Sequence, residues 1–403
     1  MSETSFWSDV AMGYSPLIDR NRAVTATRLT VFSRRTAFPF PDAAQLLKAL
    51  AEAWPSGGPR VSLNVLSEGM LIDLLHGEPQ DNLIIEVPSF MAVEPVHADA
   101  INRQHLRGVT LLVKGKPAGE MPKNVAHCFK YSVIDLGDDR RLHGEDISLG
   151  KGTPRLQPFV QSGVRSIADM EASFTRGAAG VFGWPIDEAV TSGAKPNKMV
   201  TPPDLAVIVE LINRVDKQES IDKLEATLRH DPTLAYKLIR YINSPTFGLR
   251  VEISSFRHAI MMLGYQRLKR WLALLLATAS KDTNLRPVMF AAVRRGMLME
   301  ELARSSGDVE MRNEMFICGV FSLLDRMFKQ PFEELLRTIP VPERVFQALV
   351  EGTGPYQPYF DLVRAVEGES LFDIVAASET LMLGVDEVNR AQIRALAGAS
   401  QLD

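Results

Sequence analysis

Short apolar runs alternate with helical patterns through roughly the first 185 residues. The runs are rich in β-branched and apolar residues, which is typical of buried strands. Between two of them, the stretch 41–54 places Leu46, Leu47, Leu50 and Trp54 on one helical face. Alternating strands and helices predict a parallel sheet, either open or closed into a barrel. The predicted strands are 24–32, 61–66, 83–87, 109–113, 129–136, 159–160 and 181–184.

The pattern changes after residues 187–201, whose proline, glycine, serine and lysine content indicates a linker. Strand patterns almost vanish beyond it, and helical periodicities continue to the C-terminal end. In one of these helices Asp231 is a candidate N-cap and Pro232 takes the first helical position. The sequence therefore predicts an α/β domain at 1–186 and an all-helical domain at 202–403.

The composition indicates a globular protein and argues against several classes of partner. The 403 residues carry a net charge of -4 and are 46% hydrophobic, so the chain can form packed cores and shows no basic surface for nucleic acid or for an anionic membrane. Cys128 and Cys318 lie in apolar stretches, which favours reduced core thiols and a cytoplasmic location over a disulfide framework or a zinc site. The longest apolar run, 271–279, is too short to span a bilayer. We expect no membrane partner, no nucleic acid partner and no cofactor.

Part of the helical half resembles the core of the HDOD domain. The resemblance consists of an acidic residue and proline at a helix start, an Asn-Ser pair, and a Ser-x-x-x-x-Ala-Ile-x-x-Leu-Gly segment. Phe256 stands where isoleucine is usual. The last glycine is expected to separate two helices. The matching residues are Asp231, Pro232, Asn243, Ser244, Gly248, Ser254, Ala259, Ile260, Leu263 and Gly264.

The first half resembles a strongly altered EAL domain, the barrel of cyclic di-GMP phosphodiesterases. The order of landmarks fits, from an opening strand pair at 14–34 through an Asn strand at 61–67 and a Glu strand at 83–89 to a closing segment at 179–185. The chain is therefore similar to two-domain EAL-HDOD signalling proteins. The resemblance implies a parallel β/α, TIM-like barrel followed by an all-helical, HD-related domain. With about 170 residues available instead of roughly 250, the barrel is expected to be shortened or incomplete.

The EAL resemblance also implies where metal ligands would lie. In that family, carboxylates and an asparagine at strand ends hold two divalent cations. Residue by residue, only two of these ligands remain, Asn64 and Glu86. The other positions carry Arg28 for the signature glutamate, Phe32 for a phosphate-binding arginine, Lys114 and Gly115 for an Asp-Asp pair, Lys130 with Ser132 for a Lys-x-Asp motif, and Ser162 for a further glutamate.

Cations at metal-ligand positions repel a metal as well as failing to bind it. The sequence therefore predicts no catalytic residues, no metal site and no enzyme activity. Arg28 lies on the strand face that would look into the barrel, and we hypothesise that it pairs there with Glu86. The alternative is that Arg28 extends to the rim and contacts only water.

The helical half is predicted to lack the metal chemistry of HD phosphohydrolases. Residues 316–328 read as one helix that is apolar around much of its circumference. Ser322 and Leu323 stand where the His-Asp pair of such an enzyme would lie. Asp325 is expected to pair with Lys329 one turn later.

The resemblance implies a catalytically inactive signalling scaffold that acts through protein-protein interaction in a bacterial cyclic di-GMP, motility or virulence pathway. The implied partners are other signalling proteins, such as active cyclic di-GMP enzymes or histidine kinases, and homo-oligomerisation is left open. The alternative is a metal-independent cyclic di-GMP receptor, in which Arg28, Lys114 and Lys130 neutralise the two phosphates.

Overall fold

The computed structural model describes residues 6–35, 42–54, 57–115, 119–139, 158–187, 203–229, 234, 237–238, 255–280 and 282–399. The chain forms two compact units. The first contains Met1–Glu188, Thr283–Phe290 and Pro358–Asp403, and the second contains Ala189–Asp282 and Ala291–Gln357. None of the described helices combines the length and the apolar character needed to cross a membrane.

The first unit is built on a closed barrel of eight strands in sequence order. The first strand runs antiparallel to both of its neighbours, and the other neighbouring pairs are parallel. The strands are β1 (Val10–Asp19), β2 (Val24–Ser33), β3 (Arg60–Val65), β4 (Leu83–Pro88), β5 (Thr110–Lys114), β6 (Phe129–Asp135), β7 (Phe159–Val164) and β8 (Gly180–Gly183).

The predicted barrel is confirmed, and it is shortened rather than incomplete. Because β1 and β2 are antiparallel, a tight turn joins them without a crossover helix. The helices that follow the other strands are short. A further short helix, α1 (Phe6–Asp9), precedes β1, and the helices after the strands are α2 (Ala43–Ala53), α3 (Glu68–His76), α4 (Ser89–Val93), α5 (Ala98–Leu106), α6 (Lys123–Ala126) and α7 (Ile167–Thr175).

The barrel interior is a packed apolar core. Two-residue alternation points every second side chain inward, and the inward residues fill the space as expected for a small barrel. Leu46, Leu50 and Trp54 of the predicted amphipathic helix are also buried, on the outside of the sheet. The interior cluster consists of Ala26, Ile84, Leu112, Val133, Val160 and Phe182.

The second unit is helical. One long helix is interrupted at Gly264, which has φ 69° and ψ 170°, so the predicted turn between two helices is confirmed. A left-handed φ of this kind favours glycine because a Cβ would be strained there. The helices, of which α11 begins with residues of the first unit, are α8 (Pro203–Asp216), α9 (Ile221–Arg229), α10 (Phe256–Thr278), α11 (Arg286–Leu302), α12 (Val309–Phe321), α13 (Leu324–Phe328), α14 (Phe332–Leu335) and α15 (Glu343–Phe346).

The prediction of one helix over 316–328 is wrong. α12 ends at the cap residue Ser322, and Leu323 leaves the helical region with φ -126° before α13 begins. Asp325 forms its ion pair with Arg326 and not with Lys329, because Lys329 ends α13 in a left-handed conformation with φ 53°. Six of the residues that match the HDOD domain, Asp231, Pro232, Asn243, Ser244, Gly248 and Ser254, lie outside the described residues.

The last helices of the chain pack with the barrel. The side-chain amide of Asn389 donates hydrogen bonds to the carbonyls of Trp7 and Val10, both at 2.8 Å. The amide of Gln392 donates to the carbonyl of Met12 at 2.7 Å. These helices are α16 (Gln357–Glu367), α17 (Leu371–Thr380) and α18 (Val385–Ala399).

The predicted domain boundaries, 1–186, 187–201 and 202–403, stay a prediction. The grouping by contacts differs from them at the C-terminal end, where Pro358–Asp403 belongs to the barrel unit. In sequence, the helical unit is therefore inserted between the barrel and helices that pack on the barrel.

Candidate functional site

Inward-facing polar residues collect where the parallel strands end. Carboxyl ends of parallel strands meet at one face of a barrel, which is where such folds place their functional side chains. The register sets Thr30 of β2 beside Asn64 of β3, and Arg28 one alternation earlier beside Ser62. We call this face, with Arg28, Asn64, Glu86 and Lys114, the barrel mouth.

Arg28 and Glu86 form a two-pronged ion pair inside the barrel mouth. Arg28 Nε donates to Glu86 Oε1 at 2.8 Å, and Nη2 donates to Oε2 at 2.7 Å. The two residues are 6% and 1% exposed. Ser62 Oγ donates to the same Oε1 at 3.0 Å, and the guanidinium carbon lies 5.0 Å from the ring centre of Phe182. The predicted pairing is confirmed, and the alternative that Arg28 contacts only water is wrong.

A second carboxylate reaches the barrel mouth from the C-terminal segment. Glu369 lies between α16 and α17, and its Oε2 accepts a hydrogen bond from Arg28 Nη1 at 3.4 Å. Its Oε1 accepts from Ser15 Oγ at 2.8 Å. Glu369 has a left-handed backbone with φ 53°, a conformation that costs about 1 kcal/mol or more outside glycine and often marks a functional position.

Gly13 makes this approach of the C-terminal segment possible. A Cβ added at Gly13 would lie 2.9 Å from both the Cα of Glu369 and the carbonyl oxygen of Val366. Both atoms belong to the backbone and cannot rotate away. Glycine at this point of β1 therefore lets the Val366–Glu369 turn sit directly on the strand.

Charge at the barrel mouth is balanced by close partners. Burial alone would lower the pKa of Arg28, but the neighbouring carboxylates of Glu86 and Glu369 more than offset it and raise that pKa above its usual range. For Lys114, burial and the positive charge of Arg28 outweigh the acids and lower the pKa. The mouth thus holds Arg28 firmly charged and makes the charge on Lys114 costly.

Lys114 is held in a chain of polar side chains. Its Nζ donates to Asn64 Oδ1 at 2.9 Å. Asn64 Nδ2 in turn donates to Thr30 Oγ1 at 3.0 Å. The asparagine that the resemblance marks as a metal ligand therefore uses its oxygen on an ammonium group.

Sequence reasoning missed two acids of the site, Glu369 and Asp135. Asp135 ends β6 beside Ser162 of β7, and its carboxylate accepts hydrogen bonds from Ser162 Oγ at 3.1 Å and from the Gly137 N–H at 2.9 Å. Lys130, by contrast, is exposed, and alternation places it with Ser132 on the opposite face of β6. The inward position of Asp135 follows from alternation, because Val133, two residues earlier, belongs to the interior cluster.

The donor set does not fit a pair of divalent cations. Hard cations need several oxygen ligands free to converge on them. Both oxygens of Glu86 face the Arg28 guanidinium, and the Asn64 oxygen faces the Lys114 ammonium. Those two cations would repel a metal placed among the same donors.

In the helical unit, the two positions matched to a His-Asp pair have structural contacts. Ser322 Oγ donates to the carbonyl of Gly319 at 2.7 Å and accepts from Arg295 Nη1 at 3.2 Å. Leu323 is 1% exposed and belongs to the core. Burial raises the pKa of nearby Asp325, and the charges of Arg326 and Arg295 act against that rise.

Comparison with known families supports the reading of the helical half. The model of the HDOD domain matches residues 201–328. The chain contains an HDOD domain. The predicted resemblance to HDOD proteins is confirmed, and the HDOD region begins at the predicted linker and ends within the second compact unit.

Two curated bacterial proteins match part of the chain. YuxH of Bacillus subtilis, described as uncharacterized, is 29% identical over 168 residues, which is 40% of this chain and 40% of YuxH. CdgJ of Vibrio cholerae, named a cyclic di-GMP phosphodiesterase, is 28% identical over 167 residues, 41% of this chain and 38% of CdgJ. The chain thus matches about two fifths of each relative. The prediction that this HDOD protein is not an enzyme is contradicted by the activity named for CdgJ.

Among solved structures, the chain is similar to a standalone EAL protein from Vibrio cholerae O395 in its cyclic di-GMP-bound form. The identity is 16% and the TM-score is 0.34, and the match covers 45% of this chain and 92% of that protein.

Proposed function

We propose that this HDOD protein acts in bacterial cyclic di-GMP signalling and regulates by binding other proteins. The proposal draws on the HDOD match at 201–328 and on the activity named for CdgJ. The protein-binding part of the proposal depends on one observation, the contact of Glu369 with Ser15 and Arg28 at the barrel mouth. There Arg28 is already held by two carboxylates of the chain itself.

An incoming phosphate would have to displace these internal partners. Arg28 already bonds to Glu86 and Glu369, and Lys114 already bonds to Asn64. Exchanging one anion for another gains little free energy, because each new charge-assisted hydrogen bond replaces an existing one. This supports an output through the protein surface.

The HDOD region offers a surface suited to protein partners. Met261 and Met262 are 57% and 48% exposed on α10, shortly before Gly264. Methionine side chains are flexible and polarisable, and exposed methionines adapt to different partner surfaces. The partner class is other signalling proteins, such as cyclic di-GMP enzymes or histidine kinases.

The decisive experiment is calorimetry of the full chain with cyclic di-GMP in EDTA, repeated with Mg²⁺. We expect no saturable heat from the wild type. Saturable binding in EDTA that is lost in both Arg28→Met and Lys114→Met would favour the alternative, a metal-independent receptor. Cyclic di-GMP hydrolysis that is lost in Glu86→Gln would assign an enzymatic output and overturn the proposal.

A second experiment tests the protein-binding surface. The full chain is cross-linked to co-expressed cyclic di-GMP enzymes and histidine kinases, and captured partners are quantified by mass spectrometry. We expect Met261→Glu to reduce capture at least tenfold. Val309→Glu is the matched control, because Val309 is similarly exposed at 64% on another helix. Equal capture of partners by the wild type and by Met261→Glu would show that this surface does not bind them.

A further inference from the structure

Three potential metal ligands meet at the end of the barrel opposite the mouth. His105 lies in the last turn of α5, His127 follows α6 as its cap residue, and Cys128 comes next, directly before β6. These helices lead into the amino ends of β5 and β6, so the group is remote from Arg28 and Glu86. Within the described ranges it is the one group of three or more His, Cys, Asp or Glu side chains close enough to share an ion.

The geometry suits a tetrahedral ion. The potential ligand atoms all lie within 4.8 Å of one another, and His127 Nε2 is 3.8 Å from Cys128 Sγ. Zinc binds sulfur at about 2.3 Å and imidazole nitrogen at about 2.0 to 2.1 Å, which places such a pair roughly 3.6 Å apart at a tetrahedral angle. The His105 and His127 rings are 5.3 Å apart at 89°, and both rings would turn to bring their nitrogens to these distances.

The neighbours of Cys128 fix the position of its sulfur. Cys128 is 3% exposed, and its thiol donates to Asn102 Oδ1 at 3.3 Å. Asn102 is itself fixed, because its Nδ2 donates to the carbonyl of Ala98 at 2.9 Å. This contact positions the sulfur in the metal-free chain, and it is lost when zinc binds, because a thiolate only accepts hydrogen bonds. The two histidines face the solvent side of this group, since His127 is exposed and His105 is half-buried.

We propose that His105, His127 and Cys128 bind one Zn²⁺ ion. Each imidazole contributes a nitrogen lone pair, and the Cys128 thiol releases its proton to solvent as the zinc-sulfur bond forms. Water takes the fourth position, which leaves the site with a net charge of +1. Two imidazoles and one thiolate form a donor set that zinc accepts, unlike the oxygen ligands that Mg²⁺ or Ca²⁺ needs.

The ion would join two parts of the barrel's outer layer. His105 belongs to the helix before β5, and Cys128 belongs to the junction before β6. In β/α barrels this end serves stability, because the catalytic residues lie at the opposite face. Zinc is therefore expected to stabilise the folded barrel in proportion to its occupancy.

The test is a Co²⁺ titration of the reduced full chain, followed by displacement with Zn²⁺. Cobalt reports on the ligands, because a thiolate bound to Co²⁺ gives a near-ultraviolet charge-transfer band. The chain has two cysteines, Cys128 and Cys318, so the source of the band is assignable. We expect one Co²⁺ per chain, a band that survives Cys318→Ser, and loss of the band in Cys128→Ser.

The histidines are tested separately, since Cys128 is buried and its replacement could impair folding. We expect His127→Gln and His105→Gln each to weaken Zn²⁺ binding at least tenfold in competition with a chelator, at an unchanged circular dichroism spectrum. His76→Gln is the control, because His76 is exposed at the end of α3 and bonds only to the carbonyl of Ile72. A missing band in the wild type, a band that persists in Cys128→Ser, or undiminished affinity in both histidine variants would overturn the proposal.

Discussion

The hydroxyl of Ser15 donates a 2.8 Å hydrogen bond to the carboxylate of Glu369, across 354 positions of sequence. It joins the first strand of the barrel to the turn between α16 and α17. The same carboxylate also contacts Arg28. The charge balance of the barrel mouth therefore depends on a segment that the sequence assigns to the other domain.

Gly13→Ala is expected to push this turn away from β1. The added Cβ would lie 2.9 Å from backbone atoms of Glu369 and Val366, and overpacking of this kind costs about 1 to 3 kcal/mol. Thermal unfolding should show a lower midpoint, and hydrogen exchange should rise at residues 366–370. In the control Gly119→Ala the new Cβ meets nothing within 4 Å, and an equal loss there would contradict the explanation.

Breaking the Arg28–Glu86 pair is expected to destabilise the barrel strongly. Arg28→Met leaves a carboxylate that is 1% exposed without its main partner, at a cost of about 3 to 5 kcal/mol. Arg28→Met combined with Glu86→Leu should cost clearly less than the sum of the two single changes, because neither member of the buried pair is then left without the other. Urea unfolding followed by circular dichroism measures these differences.

An exposed pair serves as the control for this cycle. Arg165 and Asp187 interact at 2.5 Å with side chains 60% and 48% exposed, and such pairs contribute less than about 1 kcal/mol. Arg165→Met should therefore change stability little. Strict additivity at Arg28 and Glu86 would show that the buried pair is not energetically coupled.

Alkaline pH is expected to destabilise the helical unit through Cys318. Burial raises the pKa of this thiol from 9.0 to about 12, so the folded chain keeps a proton that the unfolded chain loses. The stabilisation is complete below pH 9 and is lost as pH rises toward 12. Between pH 8 and pH 10 the free energy of unfolding should fall by roughly 1 kcal/mol from this group.

The change is measured by urea unfolding under reducing conditions at several pH values. Cys318→Ala should remove the part of the pH dependence of the unfolding free energy that comes from this thiol. The part that comes from other groups should remain. A wild type and a Cys318→Ala variant with parallel pH profiles would refute the assignment to this thiol.

Asn389→Ala is expected to weaken the packing of α18 against β1. The substitution leaves the carbonyls of Trp7 and Val10 without the amide that satisfies them, and unsatisfied buried groups cost about 1 to 3 kcal/mol. Limited proteolysis should cut 385–399 faster in the variant. Asn313→Ala, which removes an exposed side-chain hydrogen bond to Gln266, should leave the cleavage rate unchanged.

Local patterns predicted much of the fold. Apolar runs located the strands from β2 onward, and a single glycine located the break in α10, because alternation and glycine conformation are local properties. Local patterns did not show the first strand, which was placed only by the EAL resemblance, in the opening strand pair at 14–34. Seven consecutive residues of β1 are buried, since one face of the strand meets the barrel interior and the other meets the C-terminal helices, so no alternation is visible.

The site was predictable only where its residues lie on recognised strands. Arg28 and Glu86 share an inward face, and their pairing followed from alternation and charge. Glu369 could not be placed, because its contact with Ser15 spans nearly the whole chain and leaves no periodic signal. Asp135 was missed because Lys130 suggested a different register for β6.

The insertion of the helical unit has a consequence for synthesis on the ribosome. Strand β1 begins at Val10, whereas α18, which lies against it, begins at Val385. At a synthesis rate of about 5 to 20 residues per second, roughly 20 to 75 seconds pass between the synthesis of β1 and that of α18. During that interval an apolar strand surface stays accessible to chaperones, while the inserted helices can already fold behind it.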